Sequence, residues 1–260
     1  MPPGQSKVAH KLDVMMEQAS EALVRRRYFE CERLSAEALR RAIGALDFDR
    51  IARIVLPLQE ARRQIRDLAV DSGRIVEVNG ALPSEGELKP GMYLLSPPRV
   101  GVDGRLLREM ALKAEVPVMV LVREPLTRTG MWPIVAVGPV TVRTQIQPPA
   151  PARAASKSKA RPGGKASGKK AAAEAGGAAP KVTAKWMLLA SETLGDAAIA
   201  SLAPGLGTIQ RVLAVAERLE AVPDHEKLHQ RLEEAAREAA RIPPKKRAVP
   251  RPEVPLDGEG

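Results

Sequence analysis

The sequence predicts a mixed α+β fold in which helical, repeat-like N- and C-terminal blocks flank a small α/β domain containing a βαβ unit. Three observations lead there. Apolar residues recur at helical spacing over 11–71 and again over 182–242. Between them, over 73–147, the period changes to that of strands around one amphipathic helix. A low-complexity Ala/Lys/Gly/Pro stretch at 148–181 separates the second and third blocks, and a Pro-rich tail fills 243–260.

In the first block Leu12, Met15, Met16, Ala19, Ala22 and Leu23 share one helical face, and "YFECERLSAEALRRAI" repeats the pattern. Asp47 or Asp49 supplies a cap for a third helix, "RIARIVL". Pro57 then either kinks that helix or opens a fourth, because its missing N–H is harmless only in a first turn.

In the middle block "RIVEV" and "MYLLS" read as strands. "DGRLLREMALKAE" places Leu106, Leu107, Met110, Ala111 and Ala114 on one helical face, with Asp103 as its cap. "VPVMVLVR" is a continuous apolar run suited to a strand covered on both faces. Strand, helix, strand at this spacing is a parallel βαβ unit. "IVAVG" and "VTVRTQI" follow, the latter alternating Val140, Val142, Thr144 and Ile146 with Thr141, Arg143 and Gln145, as a half-exposed edge strand does. So short a block makes a thin core, so the flanking helices are expected to pack on the sheet.

In the last block three helices are expected: "AKWMLLASETLGDAAIASL", "GTIQRVLAVAERLEAV" and "DHEKLHQRLEEAAREAAR", with Asp224 capping the third after Pro223 ends the second.

The stretch "ASEALVRRRYFECERLSAEAL" resembles a tetratricopeptide repeat. Ala19 stands at the small-residue site of the first helix, Cys31 and Ala38 stand at those of the second, and Tyr28 opens the second. Met15 replaces the usual early Trp, and Gly44-Ala45-Leu46 replaces the closing Pro. The Pro-Asp junction before "EKLHQRLEEAARE" is similar, though the stretch Ala203–Thr208 is longer than a regular repeat allows. The resemblance implies antiparallel helical hairpins and a protein-binding role.

Composition narrows the function classes. The chain has 260 residues, of which 44% are hydrophobic, enough for a buried core. Tyr28, Phe29, Phe48, Tyr93, Trp132 and Trp186 are its only aromatics. A single cysteine, Cys31, excludes an intramolecular disulfide and a cysteine-rich metal site, and its helix-crossing position suits a small buried thiol. The N-terminus has no apolar signal region, and no apolar run approaches the ~18 residues of a membrane span. A cytoplasmic protein that does not engage membranes is expected.

The net charge of +10 is concentrated in one segment. From 147 to 181, Arg153, Lys157, Lys159, Arg161, Lys165, Lys169, Lys170 and Lys181 face only Glu174, which leaves +3 for the rest. The segment lacks large apolar side chains and reads as a flexible linker. Its cations Lys157, Lys159, Arg161, Lys165, Lys169 and Lys170 are the candidates for non-specific nucleic-acid contact.

Two further motifs carry possible chemistry. His225-Glu226-Lys227-Leu228-His229 reads H-E-x-x-H, the spacing that brings two imidazoles to a zinc ion. Leu232, Ala235 and Ala239 fall within about 40° of Leu228 on a helical wheel, which puts both histidines on the shoulder of a narrow apolar stripe. Lys227 sits at an inner position of the motif and Arg231 follows it. The motif begins in a first turn, where the helix dipole opposes a cation. Glu253 lies 24 residues beyond His229 but within the Pro-rich tail, no H-x-x-G-x-x-H extension exists, and the reading is an ordinary helix with no metal. In open parallel sheets ligands gather at the carboxyl ends of strands. There the loops "PPRVGVDG" and "REPLTRTG" carry Arg99, Gly104, Arg105, Arg123, Thr127, Arg128 and Thr129 as an anion-binding candidate. No glycine fingerprint accompanies them. With histidines only at 10, 225 and 229, all in helical blocks, no Ser/His/Asp setting is legible, and no cofactor is expected.

The leading expectation is a non-catalytic protein-interaction or scaffold protein with an unknown protein partner. A nucleic-acid-associated protein acting through 150–181 is the first alternative. A small anionic-ligand binder or enzyme at the α/β edge is the second, and a zinc peptidase stands last.

Overall fold

The computed structural model describes residues 3–150 and 181–243, with side chains from His10 onward. The basic segment, with Lys157, Lys159, Arg161, Lys165, Lys169 and Lys170, and the Pro-rich tail from 244 lie outside the described residues.

The first block forms three antiparallel helices, α1 (Pro3–Val24), α2 (Tyr28–Gly44) and α3 (Phe48–Asp71). Small residues let them approach: Ala19 and Ala22 of α1, Cys31 of α2 and Ala61 of α3 form a buried cluster of their own. The two interhelix turns share one geometry. Arg26 and Leu46 take positive φ, 58° and 51°. In each turn the following N–H reaches back into the helix, Arg27 to Ala22 at 2.8 Å and Asp47 to Ala42 at 2.9 Å. Asp47 rather than Asp49 caps α3, accepting from the Arg50 N–H. Helix α3 runs unbroken through Pro57, whose carbonyl faces the Cys31 thiol.

The strands β1 (Ile75–Val78), β2 (Gly91–Leu95), β3 (Val118–Arg123), β4 (Trp132–Val137) and β5 (Thr141–Ile146) lie side by side in chain order. The first three are parallel, and β4 and β5 are antiparallel additions. The parallel pair β2 and β3, joined by helix α4 (Gly101–Lys113), is the βαβ unit. In β3 the central residues are buried on both faces, whereas in the edge strand β5 Val142 and Ile146 are buried and Thr141, Arg143 and Gln145 are exposed.

The period-2 alternation divides two cores. Met92, Leu94, Met119, Leu121, Ile134 and Ala136 join the layer that contains α3. Tyr93, Leu95, Val120, Val122 and Val135 face α4. Helix α4 approaches the sheet on glycines: a Cβ at Gly104 would lie 2.3 Å from Val122 Cγ2, and one at Gly101 would lie 2.4 Å from Val137 Cγ2. This shifts the buried stripe to Gly101, Gly104, Leu107 and Ala111, so Leu106, expected on the apolar face, is 51% exposed. Helix α4 begins at Gly101, two residues earlier than expected, so Asp103 lies inside the first turn instead of at the N-cap and reaches back to accept from the Val100 N–H at 2.8 Å.

The last block forms α5 (Ala184–Ala200), α6 (Thr208–Ala221) and α7 (Glu226–Ala240). Helix α7 packs along α3, and α5 packs on β5, so both helical blocks belong to one layer over one face of the sheet. The Lys181 N–H donates to the Ala150 carbonyl at 3.4 Å, so the chain leaves and re-enters the described fold at one place. Trp186 secures that point, donating from Nε1 to the Gln147 carbonyl and meeting Trp132 edge to face at 5.4 Å. Among the described residues no helix is long and apolar enough to cross a membrane.

Candidate functional site

Parallel pairing of β2 and β3 brings the loops 97–104 and 123–130 to the same sheet edge. Their side chains engage separate partners. Arg99 donates from Nε to the Gly80 carbonyl at 2.6 Å and approaches Asp103 at 3.5 Å. Arg105 projects one turn further along α4 and donates to Glu109 at 2.8 Å. Arg123 lies over the Trp132 ring, 4.5 Å from its centroid, a cation–π contact, and burial lowers its pKa. Thr127 closes its own loop: its hydroxyl accepts from the Met131 N–H at 3.0 Å and lies 2.9 Å from that of Thr129. Arg128 is exposed. Gly104 is occupied by the packing of α4 on Val122.

The H-E-x-x-H histidines differ more from expectation. Both are 1% exposed, because α7 is sandwiched between neighbouring helices instead of docking by one narrow stripe. His225, not Asp224, is the residue that precedes the first turn of α7. Its ring lies against Gly195 of α5, with Nε2 at 3.4 Å from both Glu192 and Asp196. Asp196 is also taken by Lys227 Nζ at 2.8 Å. His229 Nδ1 lies 3.0 Å from the His225 carbonyl, so a neutral ring donates there. Burial, with Arg62 nearby, pushes its pKa down to about 3. Among the described residues no group of three or more His, Cys, Asp or Glu side chains is arranged to hold a metal ion.

Two concavities stand out among the described residues. The first, about 580 Å³, runs between α1, α2 and α3. Met16, Ala19, Ala38, Ile54 and Pro57 line it with apolar surface, and Asp13, Glu17, Arg50 and Arg53 stand among them. Arg50 organises the wall, gripping Asp13 of α1 with two hydrogen bonds (2.9 and 2.8 Å) and Asp47 with a third. Those bonds raise the Arg50 pKa and lower that of Asp13. Glu17, Ser20 and Arg53 are exposed.

The second, about 600 Å³, is a cleft where α2, α3 and α4 meet the α6–α7 junction. Glu32, only 7% exposed, receives Arg62 through two N–H groups at 3.1 and 3.0 Å. Arg108 of α4 reaches the Ala221 carbonyl, and Arg66 of α3 reaches the Asp224 carbonyl and Glu226. Sequence reasoning missed Glu32, Arg62, Arg108 and Asp224 as a group. They come from four elements and meet only through contacts spanning 30 to 158 residues. The legible signal is slight: Arg62 and Arg66 stand four apart on α3, and Asp224 follows a proline between helices.

No protein-family model, curated protein or solved structure matches the chain.

Proposed function

We propose that the protein acts by binding a protein partner, and that the groove between α1 and α3 receives an extended segment of it. The observation that carries this reading is the combination of an apolar floor, Met16, Ala38 and Ile54, with exposed Glu17 and Arg53 at its edge. Such a groove offers desolvated contact at its centre and charge selection at its rim. The Arg50–Asp13 fork preorganises the walls, which reduces the ordering cost of binding.

A second reading rests on the charge distribution. The segment 150–181 concentrates the basic residues, which suits non-specific contact with nucleic-acid phosphates.

Affinity capture with the tagged full chain from its own cells, at two salt concentrations, tests both. Met16→Glu and Arg53→Glu run in parallel, with melting curves to verify folding. Protein partners that persist at high salt and disappear with Met16→Glu support the groove. The same partners on the folded variant, or salt-labile nucleic acid alone, would overturn it.

A further inference from the structure

The cleft between α2 and α4 contains two ionic side chains that the fold leaves incompletely partnered. Arg108 spends two N–H groups on one acceptor, the Ala221 carbonyl, both at 3.3 Å. Asp224 gives its main-chain carbonyl to Arg66, but its carboxylate has no hydrogen bond or ion pair among the described residues. The neighbouring guanidiniums are engaged elsewhere, Arg62 with Glu32 and Arg66 with Glu226. Arg50 and Asp13, by contrast, close directly on each other. Arg108 and Asp224 both line the same 600 Å³ space without doing so.

Burial acts on both in a consistent way. It raises the Asp224 pKa against the pull of Arg108, Arg62 and Arg66, and it lowers that of Arg108. Each feels the other's charge across the cleft, yet no hydrogen bond or ion pair joins them among the described residues. A plain anion would serve Arg108 and be repelled by Asp224, and a plain cation would do the reverse. A neutral donor–acceptor edge forms bonds without the charge assistance that both groups offer. Apolar surface lies beside them, from Phe29, Ile65 and Leu112. The volume falls within the roughly 300–1,000 Å³ of small-molecule sites, at a junction of separate segments, where such sites concentrate.

We infer that this cleft binds an amino-acid-sized zwitterion with an apolar body, its carboxylate on Arg108, its ammonium on Asp224 and its side chain against Phe29, Ile65 and Leu112. Partner binding at the α1–α3 groove is a separate matter, since Asp13, Met16 and Arg53 take no part here.

Thermal melting of the full chain with leucine, isoleucine, valine, methionine or phenylalanine tests the assignment. At least one should raise the Tm, and the rise should climb with the logarithm of its concentration, by about 5 °C or more at a hundredfold excess over Kd. The N-acetyl and carboxamide derivatives of that amino acid should each lose the shift, because each lacks one of the two charges. Asp224→Asn and Arg108→Leu should lose it too. The capped ligands act on the unaltered protein, so they decide the matter even where a variant melts early. No rise with any of the five overturns the proposal. So does an equal rise with a capped derivative, or a rise only with guanosine, which offers a neutral donor–acceptor edge.

Discussion

The imidazole of His225 lies directly against the backbone of Gly195, so closely that a Cβ there would sit 2.0 Å from the ring Cγ. The glycine is thereby explained by the histidine 30 residues further on, since only a residue without a side chain admits the ring at the α5–α7 crossing. Gly195→Ala should lower stability by about 1–3 kcal/mol through overpacking. His225→Ala in the same chain should recover part of that loss, because the ring would no longer compete for the space. Denaturant unfolding of the two single variants and the double variant measures it. Additive losses would mean that the two positions do not share one space.

His229 makes stability depend on pH in a defined direction. Its folded pKa of about 3 is depressed from the ordinary 6.5, chiefly by burial. Between those values the unfolded chain binds a proton that the folded chain refuses. The contribution is therefore complete above pH 6.5 and is lost as pH falls toward 3, on the order of 5 kcal/mol in all. His225 shifts in the same direction, also by burial, against Glu192 and Asp196. Asp224, whose folded pKa is raised, contributes the opposite slope. The readout is therefore the difference between the parent and His229→Gln. From pH 6.5 to 5 the variant should lose less Tm than the parent. Parallel Tm curves would show that His229 does not resist protonation in the folded state.

Lys181 and Ala150 lie in backbone contact, so a connector far shorter than residues 151–180 can join them. Replacing that segment with a short Gly/Ser connector should shift the Tm by no more than a few degrees, because closure entropy varies only slowly with loop length. Cleavage at a protease site engineered within the segment should leave two fragments that co-elute on gel filtration. Helix α7 lies on α3 and α5 on β5, so the fragments share one core. Separation of the fragments under native conditions would contradict that packing. A neutral connector also removes the segment's cations, so any nucleic-acid binding should vanish with it if the charge reading is right.

What the sequence determined by itself was whatever a local period or a local cap specifies. The strands 75–78, 91–95 and 118–123 and the helix between the last two follow from apolar spacing, because burial on one or two faces writes itself into neighbouring residues. The edge position of β5 was legible in the alternation of Val142 and Ile146 with Thr141, Arg143 and Gln145. The start of α3 was legible as Asp47 or Asp49, and Asp47 takes it, since a cap acts within three residues; Asp103 marked the start of α4 only to within two residues, because the helix begins at Gly101. Tertiary structure decided the rest, because contact between distant segments leaves no periodic trace. It placed the two helical blocks in one layer and drew Pro57 into a continuous α3. It buried His225 and His229, whose helical wheel showed only one of the helices that would cover them. It assigned Gly101 and Gly104 to helix–sheet contact with Val137 and Val122, a role no single-sequence pattern distinguishes from a ligand loop. It also set Arg108 and Asp224, 116 residues apart in the chain, around one cleft, because only the packed layers bring α4 to the turn between α6 and α7.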